Sequence, residues 1–269
     1  MIAILMATYN GEKYLREQID SLLAQTYQDW KLYIHDDGSV DSTMKIISGY
    51  CVEYANKIIV MQDDAKHRGA AQSFLWLLEK VDAEYYMFCD QDDVWLPNKV
   101  EISYNTLAET ASRLPAMAFS DLYVTDAELN IMADSMWHYG RMDKLIGTEF
   151  LYCVPLVTGC TIILNKLGRD AALLYKDEKA MHDIIVSLSI VAGKGLYIPI
   201  WKPLIYYRQH SNNVLGIKPF NPSVFSRFKS LKRILCESLE YYKVVHRIGR
   251  ISFLKYLHLR IMCFIRVRI

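Results

Sequence analysis

Tyr85-Tyr86-Met87-Phe88-Cys89-Asp90-Gln91-Asp92-Asp93-Val94-Trp95 is the stretch on which the fold turns. Residues 85–89 form a short apolar run and read as a buried strand. Three carboxylates follow within four residues. Crowded carboxylates repel one another, so without a cation the cluster costs stability. A hard divalent cation, Mn2+ or Mg2+, removes the conflict, and such ions bridge one or two carboxylates to substrate phosphates. The plainer reading is a solvated acidic turn. The apolar strand before the cluster and Trp95 after it weigh against that.

The same pattern repeats on the N-terminal side. Apolar runs at Ile2–Ala7, Trp30–His35 and Lys57–Met61 read as strands. Helical spacing marks 12–27, 41–55 and 70–81, and Pro97 opens a fourth helix to about residue 112. Such alternation predicts an α/β fold, a doubly wound and mostly parallel sheet with helices on both faces. Ligands of these sheets bind outside the carboxyl ends of the strands. The polar clusters stand there: Tyr9-Asn10-Gly11, Asp36-Asp37-Gly38-Ser39, Asp63-Asp64 and the acidic cluster itself.

Asp37 at a strand end is suited to accept a hydrogen bond from a pyrimidine N–H, with Gly38 allowing the sharp turn. Asp41 and Ser42 read as helix caps. Tyr9 offers a ring for stacking on a nucleobase; otherwise it is a half-buried loop tyrosine. Farther on, 116–120, 121–125 and 158–164 read as strands. Residues 126–157 read as loop, hairpin and short helix. A helix follows over 181–192 and strands over 196–200 and 203–207.

The ordered set ATYN (7–10), QTYxDW (25–30), DDGSxDST (36–43), FxDQDDxWxPNK (88–99) and His182-Asp183 at a helix start resembles the family-2 inverting glycosyltransferases of the GT-A fold, over roughly residues 1–215. The DQDDxW form and Tyr207-Arg208-Gln209-His210-Ser211-Asn212-Asn213 are similar to bacterial rhamnosyltransferases of surface-polysaccharide assembly. The resemblance implies a role for each matching residue. Ala7 and Tyr9 would line the nucleobase pocket and Asp37 would read the pyrimidine. Asp92 would bind ribose, Asp93 would hold the metal, and Asp90 would assist at metal or sugar. Asp183 would be the catalytic base, with His182 standing where many members carry Glu. Inverting transfer needs one base and stabilisation of the leaving diphosphate, which a Lewis-acidic metal supplies. An Asp in a helix's first turn is favoured as an anion, which opposes basicity. His210 is a further candidate at metal or diphosphate, Arg208 at phosphate, and Arg68 at diphosphate or base. Trp95, Trp137 and Trp201 are candidate sugar-stacking surfaces, or simply core.

Charge divides the chain. Residues 1–225 hold 20 Lys and Arg against 28 Asp and Glu, whereas 226–269 hold 11 against Glu237 and Glu240. An acidic body makes nucleic acid an unsuitable partner. Gly216–Pro222 is the boundary candidate, giving a 1–222 GT-A domain (nucleotide-sugar half 1–112, acceptor half 113–222) and a 223–269 basic helical tail. Basic residues there intersperse with Phe253, Leu254, Tyr256, Leu257, Leu259, Ile261, Phe264 and Ile265, the pattern of an interfacial helix on an anionic membrane surface. The body or a second copy, in a homodimer, are the other seats for those apolar residues. The N-terminus has no basic leader, no run of 18 apolar residues occurs, and the six cysteines include no CxxC pair, so a reduced, cytoplasmic setting at the inner face of the plasma membrane is expected.

The expected reaction moves a sugar, L-rhamnose from dTDP-rhamnose, to a hydroxyl of a lipid-linked glycan. UDP-hexose and UDP-N-acetylhexosamine donors are the alternatives within the class. Outside it stand a nucleotidyltransferase, which carries a Gly-rich basic loop that 8–14 is not, and an inactive sugar-nucleotide-binding relative. A NAD-dependent oxidoreductase is excluded by the lack of GxGxxG after the first strand.

Overall fold

A computed structural model describes residues 1–63, 67–110, 113–146, 149–210 and 231–268, without the side chains of 231–235 and 268. Asp64, residues 111–112, Ser211 to Asn213, the 216–222 boundary and 223–230 of the tail lie outside the described residues.

The first half alternates as its periodicity predicts, save for β5, which had no counterpart in the sequence reading: β1 (Ile2–Thr8), α1 (Leu15–Leu23), β2 (Trp30–Asp36), α2 (Thr43–Glu53), β3 (Ile58–Val60), α3 (Ala70–Lys80), β4 (Tyr85–Cys89), β5 (Val94–Trp95) and α4 (Lys99–Thr110). β1 is buried along almost its whole length and is apolar up to Thr8. The second half contains β6 (Ala116–Thr125), β7 (Ile131–Ala133), α5 (Met136–Tyr139), β8 (Ile162–Asn165), α6 (Lys166–Leu173), α7 (His182–Ala192) and β9 (Leu196–Arg208), followed by α8 (Leu231–Gly249) and α9 (Phe253–Arg268).

The strands form one sheet in the order β3-β2-β1-β4-β8-β6-β9-β5, with β7 on β6. The pairs β3·β2, β2·β1 and β1·β4 are parallel. Beyond them the sheet is mixed, because β8 runs antiparallel to both β4 and β6, while β6·β9 is parallel. The parallel half therefore delivers the ends of β1, β2 and β4 to one edge. The reversed β8 begins at that edge, since Met87 pairs with Ile163. The segment before β8 is thus set beside the acidic cluster.

Residues 116–125, expected as two strands, are one strand whose register shifts at Ser120–Tyr123. β9 likewise runs unbroken through Pro199 and Pro203. α6 had no counterpart in the sequence reading. Its start is capped by the Asn165 side chain, which accepts from the Gly168 N–H at 2.8 Å. The basic C-terminal helices dock on the body. Val245, Ile248, Tyr256 and Leu259 are buried, and the Tyr241 hydroxyl donates to the Leu151 carbonyl at 2.7 Å.

Candidate active site

A cavity of about 740 Å3 lies at the carboxyl edge of β1, β2 and β4. The first turns of α3 and α7 and the segment 155–159 complete its wall. Its size suits a nucleotide sugar-sized ligand.

On the β1–β2 side, Ala7, Tyr9 and Asp37 all line the cavity. Asp37 accepts from the backbone N–H groups of Arg68 at 2.6 Å and Gly69 at 2.8 Å, so it anchors the segment entering α3. Gly69 tolerates this geometry because its φ is +76°. Asp36 organises the turn instead, accepting from the Thr8 hydroxyl at 2.8 Å and the Ser39 hydroxyl at 2.6 Å. Tyr9 is half exposed, its ring edge-on to His67. The Tyr9 N–H donates to Gln91 Oε1 at 2.9 Å, and Gln91 Nε2 donates back to the Tyr9 carbonyl at 3.0 Å. Gly11 permits this bridge, for a Cβ there would meet Gln91 Oε1 at 2.3 Å. The two loops are therefore locked together.

In the acidic loop, Asp90 and Asp92 face the cavity. Asp93, expected as the metal ligand, does not line it: the residue is fully buried. One of its oxygens accepts from the Arg208 N–H at 3.1 Å, and the Cys160 thiol faces the carboxyl. Burial, then the charges of Asp92 and Asp90, push its carboxyl well above the usual range. Asp90 is pushed up to about 7, by burial first and then by Asp92 and Asp183. The structure thus displays the charge conflict expected from three crowded acids.

Asp90, Asp93 and Cys160 bring ligand atoms within 4.8 Å of one another. Burial and the neighbouring acids push the Cys160 thiol well up, so it stays protonated and is a poor ligand for a hard ion. The carboxylates fit Mn2+ or Mg2+, with Asp90 and Asp92 as the oxygen donors open to the cavity. His210 stands behind Asp92, its Nε2 2.8 Å from Asp92 Oδ2 and its ring 4.9 Å from that of Tyr14. It is outside the cavity wall.

Neither arginine lines the cavity. Arg68 pairs with Asp63 and lies over Trp76. Arg208 is fully buried. It donates to the carbonyls of Asp92 at 2.8 Å and Ala127 at 2.5 Å, pairs with Glu17 and covers the Tyr14 ring. The three tryptophans are also elsewhere: Trp95 and Trp137 are core, and exposed Trp201 packs edge-on against Trp137.

Asp183 lies in the first turn of α7 and faces the cavity. Its carboxylate accepts from the Ile184 N–H at 2.7 Å, and the Gly159 amide also faces it. Burial outweighs these amides and pushes it up to about 6. Beside it, His182 is buried against Phe74 and Phe88, ring centres 4.3 and 4.7 Å away. Burial pushes it down to about 3, so it is neutral.

Sequence reasoning missed Ser73, Phe74, Met136, Gln91, Tyr207 and His67 in the wall. Gln91 and Tyr207 lay within the quoted motifs and carried a signal. The others come from helix faces and from long-range folding, which local patterns do not report.

Residues 3–144, slightly more than half of the chain, match the model of "Glycosyl transferase family 2". The dTDP-rhamnosyl transferase RfbG of Shigella flexneri is 29% identical over 242 residues, 84% of this chain and 78% of that protein. The UDP-Glc:alpha-D-GlcNAc-diphosphoundecaprenol beta-1,3-glucosyltransferase WfgD of Escherichia coli is 31% identical over 108 residues, 40% of this chain and 41% of that one. Among solved structures, Staphylococcus aureus TarS 1-349 in complex with UDP-GlcNAc superposes with a TM-score of 0.61 at 17% identity, over 96% of this chain and 72% of that one. Against another structure of TarS 1-349 the chain spans 60% of its length, at a TM-score of 0.59 and 18% identity. These last likenesses concern the fold alone. The matched span contains the β1, β2 and β4 loops that build one side of the cavity, and with it the chain belongs to glycosyl transferase family 2.

Proposed function

We propose that the chain is an inverting, divalent-metal-dependent transferase that moves L-rhamnose from dTDP-rhamnose to a hydroxyl of a lipid-linked glycan in bacterial surface-polysaccharide synthesis. One observation carries the reading: across a single cavity, Asp183, pushed up to about 6, stands opposite the acidic pair Asp90 and Asp92. A carboxylate near 6 is well matched to take a proton at neutral pH.

In this reading Tyr9, Ala7 and Asp37 form the nucleobase end, and Asp90 and Asp92 the diphosphate end. Asp92 is steadied by His210 behind it. Mn2+ or Mg2+ bound there would act as a Lewis acid on the diphosphate. Asp183 takes the proton of the acceptor hydroxyl as its oxygen attacks C1 of the sugar. The C1–O bond to the diphosphate breaks, the configuration inverts, and the proton on Asp183 passes to solvent. Asp93 and Arg208 hold the loop from beneath.

The dTDP-rhamnose donor is favoured by the extended similarity to the Shigella transferase. A second reading, a UDP-hexose or UDP-N-acetylhexosamine donor, is favoured by the shorter similarity to the E. coli glucosyltransferase. Residues 1–222 act as the transferase domain, and the basic 223–269 segment holds it peripherally at the inner face of the plasma membrane. α9 supports this: opposite its docked stripe of Tyr256, Leu259 and Cys263, it exposes Leu254, Leu257, Ile261 and Ile265. Residues 250–269 carry five Lys and Arg and no acid.

Transfer from dTDP-rhamnose, UDP-glucose and UDP-GlcNAc to a lipid-linked glycan primer, read by proton NMR of the product, tests the proposal. A rhamnosyl product of inverted anomeric configuration supports it. A UDP-sugar product overturns the donor, and a retained configuration overturns the mechanism.

A further inference from the structure

His182 belongs to the cavity wall, yet the transfer chemistry leaves it without a task. Among the described residues, neither ring nitrogen has a hydrogen-bond partner. Unsatisfied buried polar groups cost about 1–3 kcal/mol each, so the ring is kept for something other than hydrogen bonding. Its nitrogens are covered, so they hydrogen-bond to no ligand in this conformation. What the imidazole does present is shape. It is wedged between Phe74 and Phe88, and its edge lies directly under Gly159. A Cβ at position 159 would fall 2.4 Å from Nε2 and 3.0 Å from Cε1 of His182.

Gly159 opens the short 3-10 turn Gly159–Thr161. This turn touches both ends of the reaction. The Gly159 amide faces the Asp183 carboxylate. The next side chain, the Cys160 thiol, faces Asp90 and Asp93. The Thr161 N–H and hydroxyl both donate to the Thr158 carbonyl, at 3.0 and 2.6 Å, so the turn is stiff.

We propose that His182 is a positioning residue: its imidazole seats the Gly159–Thr161 turn and so fixes the separation between the base Asp183 and the acidic loop Asp90–Asp93. The inference rests on the reading of Asp183 as base. It also accounts for glycine at 159, since any side chain there would lift the turn off its seat.

The test uses the full chain with His182→Ala, Gly159→Ala and the double variant, scoring kcat, dTDP affinity with Mn2+ by calorimetry, and melting temperature. Each single change lowers kcat by about tenfold or more, because small misplacements of reacting groups are costly. The dTDP affinity stays within about twofold. The double variant recovers part of the kcat lost by Gly159→Ala, since removal of the ring makes room for the new methyl. Should Gly159→Ala fail to fold, His182→Phe, which crowds Gly159 from below, gives the same split of kcat from affinity. Folded single variants with the parent kcat, or a double variant with no recovery, overturn the proposal. Asp183→Asn run alongside separates the two ideas. If it still transfers, the base assignment fails; if it is dead while His182→Ala is active, only the seat fails.

Discussion

Asp183 sits between two opposing influences. Amides at the start of α7 favour its anion, and burial disfavours it. Burial wins, leaving the group at about 6. Two outcomes follow from the sign of that shift. Transfer requires the unprotonated carboxylate, so kcat rises with pH and levels above about 6; a rate profile flat from pH 4.5 to 7.5 would contradict this. Stability runs the other way. The native group is harder to ionise than the unfolded one, so its charge costs stability progressively above the ordinary carboxylate value and fully above about 6. Asp183→Asn should therefore melt higher than the parent at pH 8 and equal to it below pH 4, while transfer falls by roughly 100- to 10,000-fold. Tyr9, Asp37, Asp90, Asp92 and Asp183 were legible as site candidates because they follow strands or open a helix. Asp93, Arg68 and Arg208, expected at the ligand by the same logic, do not line the cavity. Position after a strand says which edge a loop joins; it does not say which of two adjacent side chains turns inward.

At the scale of elements, Arg208 ties β9 to α1 and to the acidic loop. Arg208→Ala leaves the Asp92 and Ala127 carbonyls without their buried donor. The expected loss is roughly 3 kcal/mol, read as a fall in melting temperature of about 6–12 °C. A variant with parent-like melting and selectively lost phosphate binding would restore the ligand role first expected of this arginine. The parallel half of the sheet was legible because its helices and strands alternate with clear periods. The second half was harder to read. β6 looked like two strands because its register shifts at Asp121, a buried acid held by the N–H groups of Leu122 at 2.8 Å and Trp137 at 3.3 Å. The reversal of β8 depends on pairing between residues far apart in sequence, which no local period encodes.

For the whole molecule, the charge division of the chain becomes a division of surfaces. The basic C-terminal helices use one face on the body, and α9 leaves a second apolar stripe outward, with Leu254 79% exposed. Among the described residues, no helix is long and apolar enough to cross a membrane. Burial in an interface with anionic lipid fits both the stripe and the charge. The chain should co-sediment with phosphatidylglycerol vesicles and far less with phosphatidylcholine ones. Leu254→Asp with Ile261→Asp should abolish that binding without changing dTDP affinity. Dimerisation through α9, lost in the same double variant, would assign the stripe to a second copy instead.

In the proposed reading, Asp90 and Asp92 make a metal-dependent nucleoside-diphosphate site in the cavity that Asp183 faces. Calorimetric titration of dTDP and UDP into the parent chain and into Asp92→Asn, with Mn2+ or with EDTA, tests it most directly. The account predicts binding that tightens at least about tenfold with Mn2+, equivalent to about 1.4 kcal/mol, and that loses this gain in Asp92→Asn. Folded parent protein that binds neither nucleotide, or binds them equally well in EDTA, would contradict it.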